Sequence, residues 1–448
     1  MRRLLLFIIV IATSCKQGNT PKEDLADEIE TSLRKETLDK WYPLAVDTTY
    51  GGFLSSFTFD FKPTGDQRKM IVTQARHTWT NAKASMRFPE VEHYKKSARH
   101  GYEFLRDVMW DSTYGGFYWL VERDGKPVQD DTIKTAYGNA FALYALVACY
   151  EATQDLEVLM MAKEAFNWLE MHSHDHEFKG YFQHMHRDGT PILRDRKKTP
   201  STAETGYKDQ NSSIHLLEAL TDLYRVWPDV LVKERLREML FLIRDTIVTR
   251  DGNLILFLER NWTPVSFRDK PDSTIEQHHS LDHVSFGHDV ETAYLMIEAS
   301  NVLGITGDST THRIAKKMVD HALKNGWDEH DSTGSFYDEA YYFKDRPGIT
   351  ITRDTKNWWA QAEGMNSLLL MSKLYPNDPM KYDEKFLASW RYIDRYLIDH
   401  ENGDWFAGGL DKQPEMKTAL KGHIWKACYH QYRSMSNCID MLRARHHH

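Results

Sequence analysis

His288 and Glu291, in Ser285-Phe286-Gly287-His288-Asp289-Val290-Glu291, stand three residues apart at the head of the apolar run Tyr294 to Ile297. A three-residue step places both side chains on one helical face. The pairing recurs as His215 and Glu218 in Asn211-Ser212-Ser213-Ile214-His215-Leu216-Leu217-Glu218. Histidine is the side chain best suited to take and return protons near neutral pH. Two such pairs at helix mouths therefore point to proton transfer. Polar groups interrupt aromatic or small-residue runs at three further places: Arg76 beside His77 and Trp79, Trp358-Trp359 followed by Glu363, and Trp425 through His430. Each has an ordinary structural use alone, as a core hydrogen bond, a cap or an ion pair. Together they suit removal of a proton next to a carbonyl, such as the C2 hydrogen of a sugar. That reaction needs a base, a returning acid, and charge aimed at the developing oxyanion. Histidines and an arginine supply all three without a cofactor or a metal.

Two other chemistries compete for these residues. Zinc would need three or four converging ligands with supporting outer partners. His172, His174 and His176 alternate, with His184 and His186 behind them, and Asp282 lies among His278, His279 and His283. Neither group shows a known zinc spacing, so no metal is assigned. Glycoside hydrolysis needs two carboxylates flanking the scissile bond, for which Glu218, Glu291 and Glu363 are candidates. Each travels with a histidine or tryptophan motif that hydrolysis does not require. The 13 Trp and 22 Tyr serve core packing or stacking on sugar faces. A glycan-binding lipoprotein without catalysis is the alternative of another class.

The elements that position these residues repeat. Asp47-Thr48-Thr49-Tyr50-Gly51-Gly52-Phe53 returns as Asp111-Ser112-Thr113-Tyr114-Gly115-Gly116-Phe117, and a degenerate copy starts at Asp175, at a constant interval of 64 residues. Weaker echoes occur around Asp251, Asp331 and Asn402. Fixed-period similarity signals repeated supersecondary units. Helical apolar runs span Ala136 to Tyr150, Ile214 to Val226, Val290 to Leu303 and Trp358 to Leu374. Pieces such as Gly116 to Val121 read as small hairpins on one rim. The expected fold is all-α, an (α/α)6 barrel of six helical hairpins with short β-hairpins on one rim; an open solenoid is the alternative. A chain of 448 residues fits a single repeated architecture, and its net charge of -8 carries no nucleic-acid footprint.

The amino terminus reads as a processed leader. Arg2 and Arg3 precede Leu4 to Ala12, a run too short to span a bilayer, and Ala12-Thr13-Ser14-Cys15 resembles a lipoprotein cleavage box. The expected division is 1–15 as signal peptide with Cys15 lipidated, 16–24 as tether, and 25–445 as the barrel. Cys15 would then anchor an exported bacterial lipoprotein on the periplasmic side or outer membrane. Cys149 reads as a core thiol, while Cys428 and Cys438 are candidates for pairing.

Several ordered motifs resemble the N-acylglucosamine 2-epimerase superfamily, and within it the cellobiose and mannobiose 2-epimerases. They are Arg76 with Trp79, Lys134-Thr135-Ala136-Tyr137-Gly138-Asn139-Ala140-Phe141, Asn211 to Glu218, Gly287 to Glu291, Trp358 to Glu363, and Trp425 to His430. The resemblance covers nearly the whole mature chain. It implies an (α/α)6 barrel that inverts C2 of a reducing-end aldose in a disaccharide or oligosaccharide. It implies that His288 and His430 remove and return the C2 proton, and that His215 and Arg76 steady the carbonyl and enediolate oxygens. Glu291 would orient His288 or hold a substrate hydroxyl. Tyr137 and Asn139 would touch the reacting sugar, Glu363 would join the substrate-binding set, and Trp425 with Trp359 or Trp358 would stack on it. No cofactor is implied, and the chain is expected as a monomer or weak dimer. Aldose–ketose isomerisation and N-acylglucosamine 2-epimerisation are the neighbouring alternatives.

Overall fold

The computed structural model describes residues 21–128, 133–194, 204–305 and 307–444. Among the described residues, thirteen helices longer than two turns carry the architecture: α1 (Pro21–Ser32), α2 (Ile71–Arg87), α3 (Glu92–Phe104), α4 (Ala136–Thr153), α5 (Leu156–His172), α6 (Gln210–Val226), α7 (Val230–Leu242), α8 (Asp272–Asp282), α9 (Phe286–Val302), α10 (Ser309–Gly326), α11 (Trp358–Leu374), α12 (Tyr382–Tyr396) and α13 (Tyr429–Arg443). Helices α2, α4, α6, α9, α11 and α13 form an inner ring in which each packs on the next and α13 returns to α2. The ring is closed, which decides for the (α/α)6 barrel over the open solenoid.

Residue pattern separates the two layers. In α4 every residue from Ala136 to Cys149 is buried, as expected of a helix that is apolar all round. In the outer helix α12, burial falls on Tyr382, Phe386, Ala388, Ser389, Trp390, Tyr392 and Ile393, one broad face, while the other face stays open to solvent. The six hairpins are not six consecutive ones, because α13 takes α1 as its outer partner. The last inner helix is thus covered by the first described one. Helix α1 opens at Pro21, so Pro21–Asp24, expected as the end of the tether, form its first turn. Cys15 and the rest of that segment lie outside the described residues, as do His446–His448.

The repeated Asp-Thr-Tyr-Gly-Gly turn is a rim clamp. Lys69 Nζ donates to Asp47 Oδ2 at 3.1 Å, Lys134 to Asp111 at 3.0 Å and Lys208 to Asp175 at 3.0 Å. An arginine from the next unit adds a second bond in each case: Arg123 to Asp47, Arg187 to Asp111, Arg260 to Asp175. The turn also needs glycine. Gly52 and Gly116 lie at φ +63° and +68°, and a Cβ at Gly116 would fall 2.6 Å from the Trp168 ring. Inner-helix side chains pin the aromatic that follows: Gln74 bonds both backbone groups of Phe53, and Asn139 accepts from the Phe117 N–H.

Short strands line the same rim. Lys69–Met70 pairs with Leu120–Val121, Ile133–Thr135 with His184–His186, and Lys208–Asp209 with Phe257–Leu258. Each joins the residues just before an inner helix to the next unit; of the expected small hairpins, Trp327–His330 pairs with Thr333–Phe336 over four residues, and others close through single bridges such as Val121 to Pro127. Cys149, Cys428 and Cys438 are buried and free, so the Cys428–Cys438 pairing does not form.

Candidate active site

The amino-terminal turns of the inner helices converge on one end of the barrel. There, Arg76, Tyr137, Asn211, His215, His288, Glu291, Trp358, Trp359, Trp425 and His430 surround a cavity of about 210 Å³. Extended residues at the preceding strands feed these turns, and Thr135 and Asp209 cap α4 and α6 by accepting from Gly138 and Ser212. The positive ends of the helix dipoles therefore face the cavity and favour negative charge within it. A wider vestibule of about 470 Å³ shares Tyr137, Asn211, His288 and Trp425 with the cavity and extends past Trp119, His184 and His283.

All three histidines are held from behind through Nδ1. His215 Nδ1 lies 2.9 Å from Glu218 Oε2, His430 Nδ1 lies 2.8 Å from Glu363 Oε1, and His288 Nδ1 lies 2.8 Å from Ser285 Oγ. A carboxylate accepts, so His215 and His430 carry the proton on Nδ1. Nε2 is then the nitrogen left for a substrate in each. Burial pushes the pKa of His288 down to about 4 and that of His430 well below the usual histidine value. Both are neutral near pH 7, the form that accepts a proton. The Trp359 ring packs against both, 4.7 Å from His288 and 5.9 Å from His430 by ring centroids.

Arg76 is the cation of the cavity. Its Nη2 donates to the Tyr137 hydroxyl at 3.2 Å and its Nη1 to the Trp425 carbonyl at 3.4 Å. The guanidinium lies over the Phe141 and Tyr429 rings, and among the described residues no carboxylate lies within ion-pair distance of it. Arg76 Nε and Trp358 Nε1 are buried donors without a protein partner. A buried positive group so placed is a receptor for a developing anion.

Behind the histidines lies a group that sequence reasoning missed. Arg433 bonds Glu218, Glu291 and Glu363, the last at 2.7 Å, and donates to Tyr429 Oη at 2.7 Å. Tyr429 Oη donates in turn to Glu218 Oε1 at 2.8 Å. Burial opposes ionisation of Glu218, but Arg433 and then His215 outweigh it and hold the pKa at about 2. Glu291, Glu363 and His430 bring ligand-type atoms within 4.8 Å of one another, and the cation between the two carboxylates is the Arg433 guanidinium. The spacing signal for Arg433 was present, because it follows His430 by the same three-residue step that joins His215 to Glu218 and His288 to Glu291.

Three expected roles change. Glu291 does not hold His288; Ser285 does, and a Glu291 oxygen accepts from Arg433, while Glu291 still lines the cavity, where the other expected role, holding a substrate hydroxyl, is untouched. Glu363 lies behind His430, holding its Nδ1, and is not among the residues that line the cavity. Asn139 is fully engaged, accepting from Phe117 N at 3.0 Å and donating to the Thr135 carbonyl at 2.8 Å, and is a rim-turn residue. Arg76, Tyr137, His215, His288, Trp358, Trp359, Trp425 and His430 line the cavity as expected.

Comparison with known proteins places the chain among carbohydrate epimerases. A family model described as N-acylglucosamine 2-epimerase (GlcNAc 2-epimerase) matches residues 51–434. The cellobiose 2-epimerase of Bacteroides fragilis is 30% identical over 94% of this chain and 99% of its own. That of Ruminococcus albus is 29% identical over 93% and 98%. The solved structure of cellobiose 2-epimerase from Spirochaeta thermophila DSM 6192 superposes with a TM-score of 0.77 at 29% identity, covering 94% of this chain and 97% of that one.

Proposed function

The chain belongs to the N-acylglucosamine 2-epimerase family, and we propose that it is a carbohydrate 2-epimerase acting on the reducing-end aldose of a disaccharide or oligosaccharide. The observation that carries this reading is the pairing of two neutral, Nδ1-anchored histidines with an arginine that has no carboxylate partner, around one cavity. The cavity takes the reacting ring, and the adjoining vestibule, with Trp119 and Trp425 at 5.9 Å, takes the next sugar.

In the proposed reaction the ring opens and one imidazole, His288 or His430, takes the C2 proton at Nε2. The C–H electron pair moves into a C1–C2 enediolate, whose oxygens face Arg76 and His215. The negative charge favours the protonated histidine that burial alone opposes. After rotation about C2–C3 turns the opposite face inward, the proton taken up, exchanged with water or passed on to the other imidazole, is returned to C2 there, and both histidines end neutral as they began. A hydrolytic reading is weakened because Glu218, Glu291 and Glu363 are all tied to Arg433, which leaves no carboxyl pair free to flank a glycosidic oxygen.

Incubating the protein with cellobiose, mannobiose and N-acetylglucosamine in heavy water tests the proposal. Deuterium at C2 with inversion is expected, and His288→Ala and His430→Ala should each lower the rate by about 10²–10⁴-fold. Binding without exchange would identify a glycan-binding protein, and a new reducing end would identify a hydrolase. The Cys15 anchor belongs to the same proposal: Cys15→Ser should move the protein from the membrane fraction to the soluble one.

A further inference from the structure

Away from the catalytic cavity, α8 and the strand Glu339–Tyr341 bring together three side chains that the proposed epimerisation does not use. His279 lies in the last turn of α8, and His283 follows four residues later. Their rings stack at 5.1 Å and 4°. Glu339 faces both, with Oε2 at 3.6 Å from His279 Nδ1 and Oε1 at 3.9 Å from His283 Nε2. One ligand-type atom from each residue lies within 4.8 Å of the others. In a tetrahedral zinc site with bonds of about 2.0–2.2 Å, ligand atoms are roughly 3.4 Å apart. Small side-chain movements therefore suffice to close the group on an ion.

The outer partners match what a metal site requires. A ligating histidine characteristically donates its second ring N–H to a carbonyl or similar acceptor. His283 Nδ1 lies 3.0 Å from the His279 carbonyl, which leaves Nε2 as the lone-pair nitrogen toward Glu339. His279 Nε2 lies 3.0 Å from Thr352 Oγ1, which leaves Nδ1 toward Glu339. Arg353 Nη1 holds Glu339 Oε1 at 2.9 Å and leaves Oε2 for an ion. The rim histidines give no such set, because His174 Nε2 is spent on Glu238 at 2.8 Å.

We propose that His279, His283 and Glu339 form a binding site for a zinc-class divalent ion in the vestibule wall. Its fourth position, beside His283 on the vestibule side, belongs to water or a sugar hydroxyl. Such an ion ties α8 to the strand that pairs, at Glu339, with Ser285, the residue behind His288. The sequence alone conceals this site, since its third ligand is 56 residues beyond His283.

The test uses the full chain, stripped with chelator and titrated with zinc chloride by calorimetry. One ion per chain is expected that is lost, or bound at least about tenfold more weakly, in His279→Ala and Glu339→Gln. The thermal midpoint of the parent should rise with zinc while that of each variant stays put. All variants keep His446–His448, so an unchanged isotherm in both would assign binding to the terminus and overturn the proposal. Absence of parent binding at micromolar zinc would do the same. Should either variant fail to fold in chelator, Thr352→Val provides the readout, with zinc bound about 10–100-fold more weakly than by the parent; unchanged affinity there would count against the site.

Discussion

Glu363 holds Nδ1 of His430 at 2.8 Å, joining the second turn of α11 to the first turn of α13. The carboxylate fixes which ring nitrogen faces the cavity; burial raises its pKa, and its other partner, Arg433, opposes that rise. Glu363→Gln should therefore lower kcat by about 10–100-fold with KM little changed, since positioning rather than sugar contact is lost. Steady-state kinetics with circular dichroism as a fold control checks this. A rise in KM with kcat intact would instead make Glu363 a sugar contact.

Arg433→Met leaves Glu218, Glu291 and Glu363 buried without their shared cation. Breaking a buried ion pair on one side costs about 3–5 kcal/mol. Urea unfolding should show a loss of that order, and activity should fall because the carboxylates that hold His215 and His430 lose their shared cation. A stability change within about 0.5 kcal/mol, the range of a surface substitution, would contradict the assigned role.

Arg76→Lys keeps the charge but loses the planar fork that reaches Tyr137 and the Trp425 carbonyl. We expect kcat to fall by about 10²–10³-fold, the size of losing one oxyanion donor, with thermal stability nearly unchanged. Single-turnover rates of C2 exchange report this directly. A variant as fast as the parent would remove Arg76 from enediolate stabilisation.

The acid side of the pH profile follows from His288. Burial lowers its pKa from 6.5 to about 4, so the proton-accepting form persists down to mildly acidic pH. The pH profile of kcat/KM should stay flat from neutrality to about pH 5 and fall as pH passes about 4. Stability changes over a different window. The unfolded histidine binds its proton near pH 6.5, so the full contribution is present above 6.5 and is lost as pH falls toward 4, by about 3 kcal/mol for this residue. His288→Gln should remove that part of the pH dependence of unfolding, measured in urea at pH 7 and pH 4.5.

Much of this protein was legible from residue order. The Asp-Thr-Tyr-Gly-Gly spacing announced the rim turns because a tight turn at positive φ needs glycine wherever it sits, and the helical apolar runs marked α4, α6, α9 and α11 because burial on every side demands apolar residues throughout. His215, His288 and His430 stood out because a titratable group at the mouth of a buried helix is costly without a use. The three-dimensional structure alone decided which partner each group takes. Glu291 turned to Arg433, Ser285 took His288, Asn139 went to a rim turn, and α1 rather than a neighbour covered α13. The physical reason is that charge pairing and hydrogen bonding depend on distance in space. Arg433 and Glu218 are 215 residues apart in the chain and touch only because the ring of helices closes.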